Sequence, residues 1–118
     1  MGIRRIAAVT ALLLAAAGAH PQVAPPTGEQ SYLAHCAKCH QRDGEGIVGQ
    51  YPGLVGKPQL WEERGRAIRT LLSGRDRPEI NRNVMPTHGY LGNEIIASTL
   101  SYALARWGAG GRPFTTEE

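Results

Sequence analysis

The chain has 118 residues, 42% of them hydrophobic and 19% charged, with 13 Lys and Arg against 10 Asp and Glu. That size and balance suit one globular domain and leave no room for two independent cores. Beyond the first residues no stretch is apolar and long enough to span a bilayer, so the mature protein is expected to be soluble.

In chain order, Arg4 and Arg5 precede an apolar run from Ile6 to Ala17, and Ala17-Gly18-Ala19 offers the small residues of an export-signal cleavage site. Residues 1–19 are expected to be cleaved. An uncleaved anchor is the alternative, but a spanning helix needs about 20 predominantly apolar residues, and this run meets Gly18, His20 and Pro21 first. Residues 20–26 read as a flexible Pro-rich lead, 27–108 as the folded domain and 109–118 as a C-terminal tail. Export points to the bacterial periplasm. Losing Arg4 and Arg5 from 13 basic residues leaves 11 against 10 acidic ones, so the basic balance belongs partly to the signal.

Gly28, Tyr32 and Cys36 stand four apart, on one face of a short helix that Thr27 opens as N-cap. This helix leads into Cys36-Ala37-Lys38-Cys39-His40, a CxxCH motif that holds both cysteines of the chain. Three chemistries compete for it. A disulfide, or a thioredoxin-like redox pair, suits an oxidising compartment; neither uses His40, and a glycine-rich loop after the motif is the wrong context for exchange chemistry. A zinc site wants four protein ligands and would have to recruit His20, His35 and His88 at unsuited spacings. Covalent haem uses all three residues: the Cys36 and Cys39 thiols add across the two vinyl groups and His40 coordinates the iron. One haem c is the expected cofactor.

After His40, Gln41-Arg42-Asp43-Gly44-Glu45-Gly46 and Tyr51-Pro52-Gly53-Leu54 keep no hydrophobic period and read as loop. Trp61, Arg64, Ile68, Leu71 and Leu72 suggest one middle helix, with Arg66 and Arg69 on its outer side and Ser73-Gly74 as its stop. Trp61 is either core or a donor, through its indole N–H, to a haem propionate. The six arginines between Arg64 and Arg82 carry no aromatic interleaving, so they read as a solvated helix face and not as a nucleic-acid patch.

Once Met1 leaves with the signal, Met85 is the sole methionine, in Asn83-Val84-Met85-Pro86-Thr87-His88-Gly89. A methionine in a loop of Asn, Pro and Gly just before a helix suits the sixth iron ligand better than core filler. His88 is the rival, because imidazole is the commonest metal ligand. The last helix is expected from about Asn93 to Trp107, with Ile96, Leu100, Ala103, Leu104 and Trp107 as its apolar stripe and Gly108 at its end.

A histidine motif near the mature N-terminus and a Met-Pro pair before the C-terminal helix resemble the class I c-type cytochromes, over about Gly28 to Gly108. The resemblance implies an all-α class I cytochrome c fold, three main helices and long loops around one covalently bound haem. It implies that Gly28 lets an aromatic such as Tyr102 approach, that the Pro52 carbonyl accepts a hydrogen bond from His40 Nδ1–H, and that Leu54 packs on the haem. Gln41 stands where many relatives have glycine, and Gly53 where bacterial ones often repeat proline. The tail from Trp107-Gly108 to Phe114-Thr115-Thr116-Glu117-Glu118 resembles cytochrome subunits of periplasmic dehydrogenases.

With protein ligands on both sides of the iron, outer-sphere electron transfer is the expected function, and catalysis is not. The expected partners are redox proteins, a dehydrogenase, an oxidase or another cytochrome, met transiently, with no nucleic acid and no stable membrane span. Lys38, Arg42 and Lys57 are candidate docking charges. The competing function is a haem enzyme or gas-binding protein with a labile sixth ligand.

Overall fold

Thr27 opens the first helix, α1 (Gly28–His35). Its hydroxyl accepts from the Gln30 N–H at 3.2 Å, and the Gln30 side chain accepts from the Thr27 N–H at 2.9 Å. This reciprocal box satisfies two amides for which a helix start provides no partner. The structure, a computed structural model, describes residues 22–76 and 84–118; the signal expected over 1–19, together with Asn83, lies outside the described residues.

α1 runs into α2 (Ala37–His40), a single turn, and then a long loop. The chain returns to helix in α3 (Gln59–Glu62) and α4 (Arg64–Ser73), and a 3-10 turn, Gly89–Leu91, precedes α5 (Asn93–Trp107). Among the described residues three helices reach eight residues or more, α1, α4 and α5. Among the described residues no strand forms; two isolated antiparallel bridges join Ile47 to Tyr51 and Arg75 to Met85. Among the same residues no helix is long and apolar enough to cross a membrane.

The one middle helix expected from Trp61 to Leu72 is two, parted at Glu63, whose φ of −97° and ψ of 74° leave the helical region. In an unbroken helix Trp61 and Arg64, three apart, would share a face. The break separates them: Trp61 lines the internal cavity described below, while Arg64 grips the C-terminal tail.

The core gathers on α5. Ile96, Ala97, Leu100 and Leu104 are buried there with Phe114 from the tail, and Trp61, Ala67, Ile68 and Leu71 pack against them. α1 crosses α5 at Gly28, where a Cβ would collide with the Ser98 carbonyl oxygen and stand 2.9 Å from Tyr102 Cβ. Only glycine permits that approach. Beside the crossing, Tyr32 is buried against the rings of Trp107 at 4.9 Å and Tyr102 at 5.6 Å. The Ser31 and Thr99 hydroxyls meet at 2.8 Å. Thr99 has one proton, which goes to the Ile95 carbonyl at 2.6 Å, so Ser31 donates between the two hydroxyls.

Candidate haem-binding site

The motif is shaped by the turn at α2. His40 N–H donates to the Cys36 carbonyl at 2.9 Å and Cys39 N–H to the same carbonyl at 3.1 Å. Winding the pentapeptide this tightly sets Cys36, Cys39 and His40 on the wall of one cavity of about 430 Å³. Cofactor-sized clefts run from about 300 to 1,000 Å³. Pro52, Leu54, Trp61 and Met85 line the same cavity, so every site residue named from the sequence faces a single space.

His40 Nδ1 lies 2.7 Å from the Pro52 carbonyl. A carbonyl can only accept, so Nδ1 carries the proton and the Nε2 lone pair stays available. Burial lowers the pKa of His40, and His88 and Lys57 push the same way while the Pro52 bond opposes them. The imidazole is thereby kept in its neutral, metal-binding form. The Cys36 thiol is pushed up to about 11, first by burial and then by Cys39. That is the opposite of the lowered value a nucleophilic exchange thiol needs.

Met85 is held by its backbone: it and Arg75 exchange both bridge hydrogen bonds at 2.8 Å. Gly74, at φ +71°, makes room for this, because a Cβ there would strike the Met85 carbonyl oxygen. Two further bonds tie the loop to the end of α4: Thr87 Oγ1 donates to the Leu72 carbonyl at 2.5 Å and His88 N–H to the Leu71 carbonyl at 2.7 Å.

The wall also carries two orphans. Trp61 Nε1 and His88 Nδ1 are buried with no hydrogen-bond partner, a state that costs about 1–3 kcal/mol per group. An apolar pocket with two thiols, a neutral imidazole, a thioether and an unpaired indole N–H suits a large apolar metallocycle with acidic side arms. The donor set fits haem c.

Sequence reasoning missed part of this lining. Arg66, expected on the outer side, pairs with Glu63 at 2.9 Å and also reaches the cavity. Arg75 and Leu60 line it too. The signal available for Arg75 was its place just after the Ser73-Gly74 stop, where the chain must turn back. Of the proposed docking charges, Lys38 and Arg42 are exposed and Lys57 is half-buried on the cavity wall.

The family model described as cytochrome c matches residues 26–102. The chain belongs to the cytochrome c family. Cytochrome c-552 of Thermus thermophilus is 37% identical over 99 residues, covering 72% of this chain and 76% of the relative. The fructose dehydrogenase cytochrome subunit of Gluconobacter japonicus is 37% identical over 90 residues, which are 69% of this chain and 18% of that subunit. The crystal structure of a c-type cytochrome from Methylobacterium extorquens AM1 is 24% identical, covering 76% of this chain and 60% of that one, with a TM-score of 0.45. This cytochrome is a class I, c-type protein with one covalently bound haem c, and its role is electron transfer.

Proposed function

We propose that the chain is an exported, periplasmic electron carrier, matured by cleavage after Ala19, in which Cys36 and Cys39 hold the haem and His40 and Met85 are the axial ligands. The observation that carries this reading is the meeting of both thiols, the His40 imidazole and the loop-pinned Met85 on one apolar cavity. Bound there, the haem supplies one-electron chemistry, and a thioether ligand favours the reduced iron and raises the potential.

The chain's own residues supply rigidity. Pro52 fixes the His40 ring through Nδ1–H, and the bridge with Arg75 fixes the backbone of Met85. Ligands held this firmly change little between oxidation states, which suits fast outer-sphere transfer. With His40 and Met85 both holding the iron, a substrate would have no place at the metal. Trp61 Nε1, unpaired and buried, would donate to a carboxylate side arm of the cofactor, and Leu54, which lines the same cavity, would pack against it.

Partners are other redox proteins. The named dehydrogenase subunit among the relatives supports a dehydrogenase as one of them, met through a small transient interface with Lys38, Arg42 and Lys57 as docking charges.

The test is the optical spectrum of protein made with active cytochrome c maturation. Haem that resists acid extraction, a long-wavelength iron–thioether charge-transfer band in the ferric form and slow carbon monoxide binding to the ferrous form are expected. Rapid carbon monoxide binding would replace the carrier by a gas-binding or catalytic haem protein.

A further inference from the structure

His88 is only 6% exposed, and its Nδ1 has no acceptor in hydrogen-bonding geometry. The Pro86 and His35 carbonyls stand near enough to hold its pKa partly up, against the larger lowering by burial. His88 lines the cavity. A buried polar atom left unpaired calls for an explanation, and none of the roles assigned above uses this one.

Its position in the loop is informative. Three residues of chain span at most about 11 Å, so His88 cannot stray far from Met85. The backbone is pinned on both sides: Met85 to Arg75 at 2.8 Å, Thr87 Oγ1 to Leu72 at 2.5 Å, and His88 N–H to Leu71 at 2.7 Å. Residues 85 to 88 are thus anchored to one end of α4, and Met85 and His88 both line the cavity from this anchored segment. His35, the nearest competing imidazole in sequence to the motif, also lines the cavity, but it is exposed at the end of α1, on the chain directly before Cys36, with its ring centroid 6.2 Å from that of Tyr90.

We infer that His88 is a reserve ligand, one that takes the sixth position when the Met85 thioether leaves it. This rests on the assignment of Met85 as resident ligand. The exchange is a simple substitution: the iron–sulfur bond breaks, a ring-nitrogen lone pair fills the vacated position, and no electron is transferred. A cytochrome with such a reserve stays six-coordinate when its thioether is displaced, so small exogenous ligands are kept out and its potential falls.

The experiment compares ferric wild type, Met85→Ala and Met85→Ala/His88→Phe holoproteins by optical and electron paramagnetic resonance spectra and by cyanide titration. Met85→Ala is expected to lose the thioether band yet remain low-spin with a two-imidazole signature. The double variant is expected to be high-spin. If His88 holds the site about nine-tenths of the time, cyanide binds Met85→Ala about tenfold more weakly than the double variant. High-spin Met85→Ala, or a double variant that matches it, overturns the reserve role while a thioether band in the wild type leaves the resident assignment standing. A wild type without that band, turned high-spin by His88→Phe alone, overturns both, since His88 is then the resident ligand. Should Met85→Ala fail to accumulate with haem, heating decides: past loss of the thioether band the wild type stays low-spin and His88→Phe does not, and identical behaviour overturns the inference.

Discussion

The seam between α1, α5 and the C-terminal tail and the wall of the cavity are built on opposite terms. In the seam the polar groups meet each other. Ser31, Thr99 and Ile95 form a closed chain, and Ser101 Oγ donates to the Ala97 carbonyl at 2.7 Å while accepting from Phe114 N–H at 2.8 Å. The Arg64 guanidinium places two bonds on Glu118 at 2.8 and 2.7 Å and two on the Arg112 and Pro113 carbonyls at 3.0 Å, with Cζ 3.9 Å above the Phe114 ring. On the cavity wall stand Trp61 Nε1 and His88 Nδ1, buried and unpaired. The contrast separates what the chain stabilises alone from what it leaves for a guest. Helix crossing and tail are satisfied internally, whereas the cavity is complete only with the cofactor in place, so the chain without haem should fold poorly.

The largest effect is expected from Phe114→Ala. Phe114 is 6% exposed, and truncating a buried aromatic costs about 3–5 kcal/mol, with a further loss from the cation–π contact with Arg64. Denaturant unfolding of the holoprotein should register that loss while the visible spectrum of the native protein stays unchanged. A spectrum that shifts would mean that α4 transmits the damage from its start at Arg64 to the loop it anchors at Leu71 and Leu72, and that the two regions are one.

A smaller effect, of opposite sign, lies at the mouth of the motif. Gln41 follows His40 at φ +65° and ψ 161°, a region that essentially only glycine occupies and that costs other residues about 1–3 kcal/mol. The Tyr32 hydroxyl holds it there by donating to the Gln41 carbonyl at 2.7 Å. Gln41→Gly removes the strain and adds freedom to the unfolded chain, worth about 0.5–1 kcal/mol the other way. A net gain of about 1 kcal/mol in denaturant unfolding is expected; no gain would mean that the Gln41 side-chain contacts with Lys38 and Cys39, both at 3.5 Å, matter more than their length suggests.

Much of this was legible in the sequence, for reasons that differ by residue. The CxxCH motif is local chemistry, so Cys36, Cys39 and His40 could be read together from spacing alone. α5 was legible to its ends, Asn93 and Trp107, because its apolar stripe is long and periodic. The middle helix was not, since a break at one residue leaves the hydrophobic period of its neighbours almost intact. Nor was the partner of Arg64: Glu118 lies 54 residues away, and no pattern in a single chain pairs two charges so distant. Burial of His88 depends on its tether to Leu71, also a tertiary fact.

The finest test of the seam is its acid profile. The Arg64 hydrogen bond pulls the Glu118 carboxyl down to about 2 from an ordinary 4.5, with Thr115 N–H and the Arg112 charge helping. A native value below the unfolded one means that the unfolded chain binds the proton more readily as pH falls. The bridge therefore contributes fully above about pH 4.5 and is lost progressively toward pH 2. Both side chains keep about a fifth of their surface accessible, 22% for Arg64 and 19% for Glu118, so water screens the pair and its share is modest. Glu118→Gln should be less stable than the wild type at neutral pH, and the gap should close on acidification between those two values. Parallel acid profiles would instead assign the tail's hold to Phe114 and the backbone carbonyls, with the charge at Glu118 orienting the Arg64 fork and adding little of its own.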